Sequence, residues 1–277
     1  MKKAISYQLS AISLRAVRGA ALVCLVVLCS SAAETARERG KRVVNEALEA
    51  LGGKAYLAME DRVESGRAYS FWNSQLSGLT VAHIYTRYLT PEPGKVAVRE
   101  RQNFSKDQSY GALFNEEGAW EITFRGARPY PDARVAQWRD STLRNIFYIL
   151  RERLNEPGMD FYSQGADRYE NQPVEIVDIT DANGVTVTVS FSQLTKLPIR
   201  QVFRRRNPED KMFDTEESSF ARYRDVGGGV KWPEDIRRTR NGEKIFEIYS
   251  ESVKINQDLK DDIFTLPSKL KILPPAK

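Results

Sequence analysis

The chain is poor in the side chains that carry most neutral-pH chemistry. Of its 277 residues two are cysteine and one is histidine. Cys24 and Cys29 both sit in a short apolar run near the N-terminus. If that run is removed on export, no thiol, no disulfide and a single imidazole, His83, remain. This excludes thiol nucleophiles and cysteine-rich metal sites, and leaves little for proton shuttling. A long membrane-spanning run is missing as well: the uncharged stretch from Gly19 to Cys29 is far short of the roughly 20 residues a helix needs to cross a bilayer.

Basic charge is also less abundant than it first looks. Lys2, Lys3, Arg15 and Arg18 precede the apolar run and no acidic residue comes before Glu34, so the formal net charge of +5 falls to +1 without residues 1–33. A nearly neutral chain gives no electrostatic case for nucleic acid. The order of basic, apolar and small residues, ending in Ser30, Ser31, Ala32 and Ala33, is that of a secretory signal peptide, with cleavage expected after Ala33 and the product in the periplasm. The competing reading is a lipid-modified Cys29 anchored to a membrane; Leu28 stands where a small residue normally precedes such a cysteine.

The rest divides into a domain at 34–267 and a tail at 268–277. Val43, Val44, Ala47, Leu48 and Leu51 form one stripe of a helix over 37–51, closed by Gly52–Gly53. A second helix is expected at 54–64. A third is expected at 132–154, where Val135, Trp138, Leu143, Ile146, Phe147, Leu150 and Leu154 recur at helical spacing. The remaining pattern has period two. Strands are expected at 67–75, 79–89, 95–104, 108–114, 119–124, 160–168, 173–180, 185–191, 198–206, 212–224, 230–240 and 244–256, with Asn183–Gly184 and Asn241–Gly242 as hairpin turns. About 11–12 strands in sequence are too many for a flat sheet. The expectation is an α+β, mostly β fold: a curled antiparallel sheet, an incomplete β-barrel, with helices covering its concave face.

No constellation in the chain carries a catalytic signature. His83 shares its strand face with Leu79, Val81 and Tyr85 and reads as a hydrogen-bonded sheet histidine. Asp181, Asn183 and Gly184 fail as a calcium loop because Ile179 and Ser190 would occupy the first and last ligand positions. Gly227–Gly229 is followed by neither a helix nor a Lys-Ser pair. The adjacent acids Glu116–Glu117 and Asp261–Asp262 would face opposite ways at turns, which is wrong for a pair of hydrolytic carboxylates. Arg200, Arg204–Arg206, Arg237, Arg238 and Arg240 make either a basic rim or a wet strand face paired with Glu216, Glu217, Glu243 and Glu247.

Several stretches resemble the periplasmic lipoprotein-carrier superfamily (LolA/LolB-like). They are the helix ending in Leu51-Gly52-Gly53; the hairpin from Val185 to Arg200 with Leu197-Pro198-Ile199-Arg200; and Tyr223-Arg224-Asp225-Val226 leading through glycines to Val230-Lys231-Trp232-Pro233. The closing Val253-Lys254-Ile255-Asn256 and Asp262-Ile263-Phe264-Thr265-Leu266-Pro267 complete the set. The resemblance implies a half-barrel plugged by helices, with no cofactor and no turnover, that binds lipid or lipoprotein acyl chains. Trp72, Tyr85, Trp120, Ile122, Phe124, Trp138, Leu143, Ile146, Phe147, Leu150, Val187, Val189 and Phe191 are the expected lining of the groove and its lid. The alternative is a permanently plugged module that binds another envelope protein.

Overall fold

A computed structural model describes residues 34–92, 95–207 and 210–275. The expected signal segment, both cysteines included, lies outside the described residues. Everything that follows belongs to the unit that begins at Ala36.

Thirteen strands form one antiparallel sheet in the order β6-β5-β4-β3-β2-β1-β13-β12-β11-β10-β9-β8-β7. They are β1 (Asp61–Trp72), β2 (Gln75–Tyr88), β3 (Val98–Phe104), β4 (Tyr110–Asn115), β5 (Gly118–Thr123), β6 (Gly126–Pro129), β7 (Asp160–Tyr169), β8 (Gln172–Thr180), β9 (Thr186–Ser192), β10 (Pro198–Arg206), β11 (Phe213–Asp225), β12 (Lys231–Arg240) and β13 (Glu243–Ile255). Two meanders, β1–β6 and β7–β13, are thus joined only where β1 meets β13. The sheet curls without closing into a barrel, as the α+β reading expected. It has one strand more than the sequence suggested, the short β6, which Pro129 cuts off. At this edge, Ala127 donates its backbone N–H to Lys271 and accepts from Leu273, so residues 271–273 cover strand groups that would otherwise be open.

Helix α1 (Ala36–Ala50) buries Val43, Val44, Ala47 and Leu48 and lies on β7 and β8. Gly40 permits this close approach: a Cβ there would stand 2.4 Å from the Phe161 carbonyl oxygen. The second expected helix is a single turn, α2 (Lys54–Leu57), and β1 begins at Asp61 instead of 67.

The long helix expected at 132–154 is two pieces. Helix α3 (Asp132–Leu143) buries no residue completely. After Arg144 the chain restarts as α4 (Ile146–Tyr148), which runs into a wide turn over Ile149–Arg153. Asn145 is extended and its side chain accepts from the Phe147 N–H, capping the second piece and ending any continuity with the first. The broad apolar face belongs almost wholly to α4 and the turn after it.

Candidate functional site

Adjacent residues of a strand face opposite sides of the sheet, and the two sides here are covered differently. On the inner side α1, α4 and the turn after it pack onto β7–β12. The cluster includes Leu51, Tyr56, Ile146, Phe147, Leu150, Val177, Val189, Phe191, Phe220 and Trp232. The arginines of the turn hold it in place. Arg151 donates to the Met59 carbonyl at 2.6 Å, and Arg153 donates to Leu143 O at 2.7 Å while bridging Glu156 and Asp181. Tyr56 adds a bond to Phe147 O at 2.7 Å. This part of the inner face is filled.

Helix α3 is held more lightly. Near its middle Trp138 stacks on Phe114, with ring centres 4.8 Å and planes 10° apart, and Val135 joins the same cluster. At its other end Asp140 pairs with Arg205 of β10 at 3.0 Å and with Arg144 at 2.7 Å, while Arg205 donates to Ser141 Oγ at 2.7 Å. The helix therefore straps β4 and β5 to β10.

Between these two regions the inner face carries a charged belt and then an apolar floor. In the belt, Arg62 lies 3.7 Å from Glu64 and donates to Tyr88 and Thr86, with its guanidinium 3.8 Å from the centre of the Trp232 ring. Ser250 donates to Glu64, and Gln102 donates to Glu100. Burial pushes the Glu100 carboxyl above its ordinary range, against the opposing pull of the Gln102 bond and of Arg62 and Arg238. Toward the β1–β2 hairpin the floor begins. Ala68, Ala82 and Ile248 are buried, and Ile84, Phe104, Ile236 and Phe246 are half-buried around them. All seven come from β1, β2, β3, β12 and β13; among the described residues no helix contributes to this cluster.

No protein-family model matches the chain, and no curated protein matches it. Solved structures do. A DUF1329 family protein from Desulfovibrio piger is 13% identical and superposes with a TM-score of 0.58 over 83% of this chain and 98% of its own. A domain described as outer membrane lipoprotein-sorting, from Vibrio parahaemolyticus, is also 13% identical, with a TM-score of 0.52 over 82% and 97%. The chain shares the fold of these two structures. A LolA superfamily protein from Nitrosomonas europaea aligns more loosely, at 10% identity and a TM-score of 0.42 over 82% of this chain and 97% of its own.

On this sheet the residues expected to line a groove fall into three groups. Ile146, Phe147, Leu150, Val187, Val189 and Phe191 come together, but in the filled region. Trp138 is in the strap, and Leu143 is half-buried at its end. Tyr85, Trp120 and Ile122 lie on the other side of the sheet, against Leu113 and Phe264 and under the chain that follows β13. The alternation shows this directly: Tyr85 follows Ile84 of the floor, and Leu113 precedes Phe114 of the inner aromatic stack. Trp72 and Phe124 are exposed at hairpin turns. Ile84, Phe104 and Ile236 of the floor were missed because they are scattered over three strands that only the β1–β13 pairing brings together.

His83 bonds through Nδ1 to Ser65 Oγ at 2.9 Å, the sheet role read from the sequence. Glu116 pairs with Arg99 at 2.8 Å and Asp261 with the same arginine at 3.2 Å. The Arg99 guanidinium holds the Glu116 carboxyl below its ordinary range. Arg200 pairs with Glu217 at 2.6 Å, Arg240 with Glu216 at 3.5 Å and Arg237 with Glu247 at 2.8 Å, the cross-strand pairing foreseen for those arginines. Among the described residues no helix is long and apolar enough to cross a membrane.

Proposed function

We propose that this protein is exported to the periplasm, with residues 1–33 as its signal peptide, and that it binds a hydrophobic or lipidated group there without chemical turnover. The observation that carries this reading is the apolar floor around Ile84, Phe104, Ile236 and Phe246, half-buried and with no helix residue in its cluster among the described residues, beside regions that are filled or charged. Burying an acyl chain there contributes about 0.8 kcal/mol per methylene. The fold shared with the lipoprotein-sorting domain supports the same reading. The strap α3, which runs across the inner face from β4 and β5 to β10 and buries no residue completely, is the element to be displaced when cargo enters. By contrast, α4 stays in place.

The test is to incubate the purified protein with envelope lipid extract, re-isolate it and identify bound lipid by mass spectrometry. Co-purifying lipid is expected, and its consistent absence overturns the reading. A second reading, a plugged module that binds another envelope protein, is favoured by the filled β7–β12 half of the sheet. A fluorescent acyl probe separates the two. A carrier binds it saturably, and Phe246→Asp weakens that binding, whereas a plugged module shows no saturable binding at all.

A further inference from the structure

Antiparallel meanders place every second hairpin at the same end of a sheet. Here the β1–β2, β3–β4, β5–β6, β8–β9, β10–β11 and β12–β13 hairpins share one end, since β13 starts beside the end of β1 with Phe246 opposite Ser70. That end collects large apolar side chains that no other described residue covers. Trp72 is 74% exposed, Leu76 60%, Phe124 83% and Phe213 56%. Single exposed apolar residues are ordinary, but a set of them on the tips of neighbouring hairpins is not.

The same hairpins carry arginines that make no carboxylate ion pair within 4 Å among the described residues, although Arg238 also acts on the buried Glu100. Arg125 lies 5.3 Å from the centre of the Phe124 ring, Arg204 4.9 Å from Phe213, and Arg238 5.6 Å from Phe246. Elsewhere on the sheet the arginines mostly pair with acids across strands. At this end they rest on aromatic rings with the charge turned to solvent. Of the acids on these hairpins, Asp107 accepts from Ser105 and Ser109, and Asp214 from Asn207 and Asn241, while Glu243 is exposed. Phe246 belongs to the apolar floor as well, so the floor runs up to this rim.

We propose that this hairpin end docks on the surface of an anionic lipid bilayer. Trp72 and Phe124 seat in the headgroup region and Arg125, Arg204 and Arg238 meet lipid phosphates. Amphipathic aromatics with neighbouring cations are the composition that the membrane interface selects. A protein partner fits less well: the apolar tips are separate hairpins around a rim and do not form one continuous face, and a fluid headgroup layer accommodates that arrangement. The proposal stands whether or not the floor takes cargo.

The experiment is co-sedimentation of the protein recovered from the envelope, with the same N-terminus in every sample, with vesicles of phosphatidylcholine alone or mixed with phosphatidylglycerol. Binding to the mixed vesicles is expected to fall as salt is added, and Trp72 emission should shift to the blue. Arg125→Gln, Arg204→Gln and Arg238→Gln together should weaken that binding roughly a hundredfold. Trp72→Asp with Phe124→Asp should weaken it on both vesicle types. All five positions lie at or near the hairpin tips, and circular dichroism of each variant checks that it is folded. Equal binding by the wild type and both variants overturns the proposal, as does wild-type protein that stays in the supernatant with mixed vesicles. Loss of capture of a specific protein with no change in vesicle binding overturns it too, in favour of a protein partner.

Discussion

Replacing Trp138 by alanine should loosen α3 and tighten cargo binding. The indole is half-buried on Phe114 in a parallel stack with a 4.8 Å centre separation. Such a pair contributes about 0.5–1.5 kcal/mol beyond burial, and covering about half of a side chain of roughly 200 Å² adds about 2.5 kcal/mol. Fixing the indole and the rings it meets costs about 2 kcal/mol of rotamer freedom, so the stack leaves a net hold on α3 of about 1–2 kcal/mol, beside ion pairs each worth about 0–1 kcal/mol. That net hold caps both consequences of the substitution. Global stability falls by no more than about 2 kcal/mol, and acyl-probe affinity rises about tenfold because cargo no longer works against a docked strap. Phe147→Ala is the control. Phe147 is 5% exposed and meets Phe220 edge-on at 4.9 Å, so its loss should cost about 3–5 kcal/mol with no gain in affinity. Urea unfolding and probe titration of both variants decide the matter. Equal destabilisation by the two substitutions, or a Trp138→Ala protein that binds probe no better than wild type, would refute the division of this segment into a strap and a plug.

Two predictions concern the belt. Arg62→Leu leaves Glu64 buried without its cation and should cost about 3–5 kcal/mol in urea unfolding, whereas Arg62→Leu with Glu64→Leu should recover most of the loss; a double variant no more stable than the single one would count against the pairing. Glu100 has its folded carboxyl pKa raised by burial, so the folded state holds that proton more tightly than the unfolded chain. The resulting stability is complete below the unfolded value near 4.3 and is lost as pH rises through the higher folded value. Glu100→Gln should therefore gain on wild type between pH 4 and pH 7, and a difference that is the same at both would contradict it.

The local structure was legible where a single chemical pattern decided it. Val43, Val44, Ala47 and Leu48 specified α1 to within a residue, and Asn183–Gly184 and Asn241–Gly242 do lie between paired strands. The segment from 132 to 154 misled because Leu143 and Ile146 continue one helical stripe across Asn145, although an asparagine just before Ile146 is a capping signal. The site was harder for a different reason. Alternation tells which residues share a face but not which face is covered, and in β4 both are buried: Leu113 by the chain after β13, Phe114 by α3. Large aromatics were the visible signal, yet Trp72 and Phe124 were drawn to the rim and Trp120 to the outer cluster. The floor is built from Ile84, Phe104, Ile236 and Phe246, which carry no local motif.

The order of layers on the inner face limits what the floor can hold. Along β13 the floor residues Phe246 and Ile248 are followed by Ser250, which bonds to Glu64 of the belt. Four residues of strand span about 13 Å, so an apolar chain entering from the hairpin end has roughly that depth before it meets Arg62, Glu64 and Glu100. Pushing a methylene chain further would strip these groups of their partners, at a cost of several kcal/mol against about 0.8 kcal/mol gained per methylene. Beyond the belt the face is already occupied by Phe147, Leu150 and their neighbours. A longer chain must therefore leave part of its length at the rim, beside Trp72 and Phe124, where the arginines and exposed aromatics would keep the remainder in contact with a membrane surface. On this geometry the belt acts as a stop, and the shallow floor favours a cargo that is held partway and released from the same end by which it entered.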